Sequence, residues 1–201
     1  MLRSSFFLAC AALLAPACVA QTKLEATDLV NHPFSIDFAS GGKLRLRVRS
    51  GEVYVIGTDQ NRISVEISGK KAFDARDVKV RVERKDTTAS VRVSGGGPRN
   101  DLTITIRIPS DTDLTARIPF GEVHVKNITG NQDVELHAGE LTVAVRDSAD
   151  YSHVDASVFS GEVDAAPFGE SHGGLFRSFR REGNGRYRLH AHVGAGQLTL
   201  Q

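Results

Sequence analysis

"LTARIPFGEVHV", residues 114–125, alternates apolar and polar residues on both sides of a glycine, but the alternation changes phase at that glycine. Before Gly121 the apolar positions are Leu114, Ala116 and Ile118. After it they are Val123 and Val125. A straight strand cannot keep both sets on one face, because side chains alternate faces and a slip of one residue reverses all of them. The chain must therefore bend or bulge around Gly121, absorbing one residue. Glycine tolerates the positive φ that such a corner often needs. The segment reads as two short strands joined at a glycine corner.

The same twelve-residue pattern recurs. "LRLRVRSGEVYV" spans 44–55, "QDVELHAGELTV" 132–143, "VDASVFSGEVDA" 154–165 and "LHAHVGAGQLTL" 189–200. With glycine in column eight, columns one, three, five, ten and twelve are apolar in every copy except at Gln132. One copy buries too few aliphatic groups to offset the entropy of ordering its own backbone, so the copies must stack on one another. The expected fold is all-β: a β-solenoid or β-helix-like stack of short strands with glycine corners at Gly51, Gly121, Gly139, Gly161 and Gly196. Residues 61–108 lack the corner motif. Runs such as Ile63/Val65/Ile67 and Ile104/Ile106/Ile108 alternate over longer stretches, which predicts antiparallel hairpin strands in the N-terminal half. Residues 21–40 are expected to supply an edge strand through "HPFSIDFA" or to cap the stack.

The first twenty residues, "MLRSSFFLACAALLAPACVA", have a cationic start, an apolar run and small residues before Gln21. That is the form of a secretory signal peptide, too short for a membrane span. Residues 21–201 then form a single all-β domain. Both cysteines, Cys10 and Cys18, fall in the leader, so the mature chain has no disulfide, no thiolate ligand and no thiol nucleophile. A lipid anchor at Cys18 is the alternative processing route, and Ala15 and Pro16 depart from its usual motif. The 25 Lys+Arg and 24 Asp+Glu become formally balanced once Arg3 is removed. This argues against nucleic acid as a partner.

The run "IPSDTDLTARIPFGEVHVKNITGNQDVELHAGELTV" and the ending "FRREGNGRYRLHAHVGAGQLTL" resemble the putative-adhesin family of bacterial envelope proteins, a domain of unknown function. The resemblance covers roughly residues 40–201. It implies a β-helix-like stack, an exported location in the periplasm or at the cell surface, and a role in adhesion or envelope-stress sensing. It brings no catalytic residues.

Several groups of side chains are candidates for chemistry. Column nine aligns Glu122, Glu140 and Glu162, with Glu52 nearby, as an acidic ladder that either fans into water or surrounds a cation. Column two aligns Asp133 and Asp155, which a polysaccharide-processing enzyme could use as acid and base. His190 and His192 share an outward face without a fixed carboxylate, a weak zinc signal, and His124 and His137 meet only if the stacking favours it. Lys43, Arg45, Arg47 and Arg49 form a basic stripe. Residues 176–188, read as a loop, set Arg177, Arg180, Arg181, Arg186 and Arg188 among Phe176, Phe179 and Tyr187. That loop suits an acidic polysaccharide, a lipid phosphate or a partner protein. No G-x-S-x-G elbow occurs. The sequence reading is an exported, non-enzymatic, adhesin-like domain without cofactor, whose partner is an envelope protein or polysaccharide. The competing reading is a β-helix enzyme acting through Asp133 and Asp155.

Overall fold

The structure is a computed structural model that describes residues 22–26, 29, 33–69, 78–95 and 102–201. The leader, with Cys18, lies outside the described residues. The described residues form thirteen strands: β1 (Thr22–Ala26), β2 (Phe34–Asp37), β3 (Lys43–Val48), β4 (Glu52–Thr58), β5 (Arg62–Gly69), β6 (Lys79–Lys85), β7 (Thr88–Ser94), β8 (Leu102–Pro109), β9 (Asp113–Lys126), β10 (Gln132–Val143), β11 (Tyr151–Ala165), β12 (Glu170–Glu182) and β13 (Tyr187–Leu200). Two single-turn 3₁₀ helices, Ser148–Asp150 and Ala166–Phe168, flank β11. All strands belong to one mixed sheet. The sheet does not close on itself.

The four long strands β9, β10, β13 and β11 run parallel with their glycines in register: Gly121 beside Gly139, Gly139 beside Gly196, and Gly196 beside Gly161. Each pivots at its glycine. In β9, Leu114, Ala116 and Ile118 on the first flank and Val123 and Val125 on the second are all buried in one core, while Phe120 and Glu122 at the corner are exposed. The change of phase thus does what the pattern requires, turning the aliphatic residues of both flanks inward. The glycines there have φ between 133° and 139°, a region L side chains rarely adopt. They also approach one another closely. A Cβ on Gly139 would lie 1.9 Å from the carbonyl oxygen of Gly121.

The copy at 44–55 makes the same turn as two separate strands. Lys43–Arg47 of β3 pairs with the first flank of β9, and Glu52–Ile56 of β4 with its second. β7 and β8 continue this row outward, parallel to β3 and β4, and are joined through a longer connection. Beyond them β6 and β5 run antiparallel, and β1 and β2 cover those in turn. The expected antiparallel strands are therefore present as the outer rows, and "FSID" is an edge strand. β7 and β8 depart from the expectation. They form a further two-flanked row that the missing glycine motif had hidden.

A second difference concerns order. Chain order places the copy at 154–165 next to that at 132–143, but β13 lies between β10 and β11. Gln132, the polar exception in column one, does occupy its inward slot. It is 2% exposed, and its amide donates to the Ile128 carbonyl oxygen at 3.4 Å and to the buried Tyr151 hydroxyl at 3.2 Å. The copy with Gln in column one thus sits where an inward tyrosine offers it an acceptor.

Candidate functional site

Because the rows are in register, even-numbered columns of the first flank project outward as straight files, with neighbours about 4.8 Å apart. Column two runs Arg45, Thr115, Asp133, His190, Asp155 and Arg180. Column four runs Arg92, Arg47, Arg117, Glu135, His192 and Ser157. The strands fix these positions through main-chain pairing, so the spacing does not depend on loop conformation.

This geometry separates the two carboxylates considered for catalysis. Asp133 and Asp155 are not on neighbouring rows; His190 stands between them, which puts them two rows, about 10 Å, apart. Each is held by an arginine, Asp133 Oδ2 by Arg117 at 2.6 Å and Asp155 Oδ2 by Arg180 at 3.2 Å. Arg117 also reaches Glu135 at 3.1 Å. The expected adjacency fails because column alignment gives register and not order.

The same insertion divides the glutamate column, which runs Glu52, Glu122, Glu140, Gln197 and Glu162. Glu122 and Glu140 are neighbours, while Gln197 separates Glu140 from Glu162. At the other end Glu52, Glu122 and His124 bring one potential ligand atom each within 4.8 Å of one another, a set the sequence reading only half contained. Their charges are already met by local donors. The Tyr54 hydroxyl donates to Glu52 at 2.6 Å, Thr103 donates to Glu52 at 2.9 Å, and His124 Nε2 lies 2.8 Å from Glu122. Tyr54 stacks on His124 with ring centroids 4.7 Å apart. The hydrogen bond to Glu52 holds the Tyr54 phenol above its usual pKa range. Asp133, Glu135 and His190 form a second such group, spanned by the guanidinium of Arg117. His192 Nδ1 lies 3.0 Å from Ser157 Oγ. His137 packs edge-on against Phe120, centroids 5.9 Å apart, and not against His124.

Residues 176–188 are not a loop. β12 extends to Glu182 and β13 begins at Tyr187. Arg180 pairs with Asp155, the Arg181 guanidinium lies over the Phe168 ring at 5.2 Å, and that of Arg186 over Tyr187 at 5.6 Å. Arg177 lies beside Gly174, where an added Cβ would come within 3.0 Å of its guanidinium. Phe179 is buried and packs on Phe168. Phe176 stays 71% exposed, edge-on against Phe159.

The basic stripe on β3 leads to a more open place. A hollow of about 800 Å³ crosses columns four to six of β7, β3, β9, β10 and β13. Arg47, Arg49, Arg92 and Arg117 line it together with Pro119, His137 and His192. Glu135 is the carboxylate in this lining. Arg117 is committed to Asp133 and Glu135, whereas Arg47, Arg49 and Arg92 are exposed and have no ion pair among the described residues. The sequence showed the stripe. It could not show that Arg92 files beside Arg47, because the β7–β3 pairing joins segments with β4, β5 and β6 between them.

Among the described residues no helix is long and apolar enough to cross a membrane. No family model matches the chain. No curated protein matches it either. Among solved structures, the chain is similar to a putative cell adhesion protein from Clostridium sporogenes, with a TM-score of 0.51 and 13% identity, covering 90% of this chain and 99% of that one. A likeness at that identity concerns the fold.

Proposed function

We propose that the chain is an exported, non-enzymatic binding module of the bacterial envelope, adhesin-like in architecture and built as a β-solenoid-like stack with glycine corners. The observation that carries this reading is the in-register outer face. Its side chains stand at spacings fixed by strand pairing, and the carboxylates one would enlist for acid–base chemistry are held by arginines. A rigid, preorganised polar face suits recognition, because little entropy is lost when it binds. The fold likeness to a putative cell adhesion protein supports the same reading, as does the leader-like N-terminus, which would deliver the domain to the periplasm or cell surface. An envelope-stress sensor would use the same face to report a bound ligand.

The enzymatic alternative lacks support from the carboxylate geometry. Asp133 and Asp155 stand two rows apart, beyond the ~5.5 Å of a retaining pair, with the β13 row carrying His190 between them. The test uses the secreted chain with isolated envelope fractions, namely outer membrane, peptidoglycan and capsular polysaccharide. Saturable retention on one fraction without release of new reducing ends is the expected result. Release of sugar fragments, or retention on none of the fractions, would overturn the proposal.

A further inference from the structure

The hollow over β7, β3, β9, β10 and β13 is more specific than a general binding face. We infer that it is a site for a carboxylated polysaccharide, an inference that rests on the binding-module reading above. Three observations point to that ligand. First, Arg47, Arg49 and Arg92 have no ion pair among the described residues and share one concavity, although the chain as a whole is nearly neutral at +1. Unpaired guanidinium groups brought together repel one another, so the arrangement is relieved when an anion arrives. Arg92 and Arg47 are direct cross-strand neighbours, and Arg49 follows just past the end of β3. Arg47 thus has an arginine on either side at Cα separations of about 5–7 Å, which suits acidic groups that repeat along a polymer. The planar fork of arginine matches a carboxylate better than a point charge would.

Second, the hollow is not purely polar. Pro119 and His137 line it, and Phe120, 53% exposed, stands against His137 at its border. A sugar ring carries C–H groups on one face and hydroxyls at its rim. It can therefore lay its C–H face on Phe120 and Pro119 while its carboxylate turns to the arginines. Third, other polyanions fit less well. A nucleic acid would gain little long-range attraction from a chain of net charge near zero. An anionic membrane needs apolar groups that protrude, and here the charged groups sit in a concavity.

The test is calorimetric titration of the secreted chain with hexagalacturonate, with neutral maltohexaose, with a short DNA duplex and with phosphatidylglycerol vesicles. Hexagalacturonate should bind saturably and more weakly as salt is raised. Arg47→Ala and Arg92→Ala should each weaken it about tenfold or more. Arg47→Lys should recover part of that loss, and Phe120→Ala should weaken binding without changing the salt dependence. Arg62→Ala, on the second flank, should leave affinity unchanged. All four positions are exposed, so unchanged melting curves will show that the variants fold. The inference is overturned if maltohexaose binds as well as hexagalacturonate, if DNA or vesicles bind better, or if the arginine variants bind like the parent. Should envelope fractions retain the chain while hexagalacturonate does not bind, the inference fails and the binding-module reading stands. If neither binds, both fail.

Discussion

A side chain at Gly139 faces two obstacles. The backbone there has φ of 133°, and the new Cβ would meet the Gly121 carbonyl oxygen at 1.9 Å. Strain of the first kind alone costs about 1–3 kcal/mol, and the collision adds a displacement of two paired strands. Gly139→Ala should therefore destabilise by at least about 3 kcal/mol, lowering the melting midpoint by roughly 6–12 °C in a chain of this size. An unchanged melt would mean that the corner bends without help from glycine. At Gln132 the issue is polar satisfaction. Gln132→Leu removes the amide that the buried Tyr151 hydroxyl accepts from, which should cost about 1–3 kcal/mol. Adding Tyr151→Phe should recover most of it, and a double-mutant cycle in urea measures the coupling. Tyrosine titration gives an independent reading. Burial raises the Tyr151 phenol, and the bond to Glu52 raises that of Tyr54. Folding thus favours their neutral forms. That contribution is complete below the ordinary phenol value of 10.0 and is lost as pH climbs through the raised values. Phenolate absorbance should show midpoints above 10 for both, and Tyr54→Phe should remove one of them.

At the scale of elements, the strands could be read from sequence while their neighbours could not. Alternation and the phase change at glycine are local, so β9, β10, β11 and β13 were legible together with the inward columns and the register. Lateral order is different. It depends on which parallel partner lies on each side, and every copy presents nearly the same aliphatic columns. Nothing local in "LHAHVGAGQLTL" says that β13 enters between β10 and β11. The candidate site suffered accordingly. The carboxylates thought adjacent were separated by His190 and Gln197, and Arg92 joined the basic stripe from a segment without the motif. The order has a dynamic consequence. β13 is paired along most of its length on both sides, whereas β12 and β1 each have one strand partner among the described residues. Amide exchange should leave β13 among the most protected strands and free β12 and β1 much sooner. Equal protection in β12 and β13 would indicate that another chain covers the β12 edge.

For the molecule as a whole, β13 decides how the sheet holds together. In a stack laid down in strict chain order, removing the last strand exposes the preceding one and leaves the remaining rows in place. Here the last long strand is internal. β10 meets β11 only through β13, and Gln201 adds main-chain bonds to Val143 and Val145 just past the second flank. A chain ending at Gly185 would lose both neighbours' pairings at once. The facing surfaces of β10 and β11 would be left with unpaired main-chain groups, because a direct β10–β11 pairing would require the β11–β12 pair to move by a full row. Two outcomes are distinguishable by limited proteolysis with circular dichroism. If order is as described, the truncated chain should lose β11 and β12 to protease along with the missing strand, keep a protected fragment reaching about Val143, and lose strand signal well beyond the residues removed. If β11 can slide against β10, protection should extend to Glu182, and the loss of signal should match the deleted segment. The first outcome also implies a slow last step in folding. The β10–β11 connection must hold open a space that only the end of the chain can fill, and contacts so distant in sequence form late.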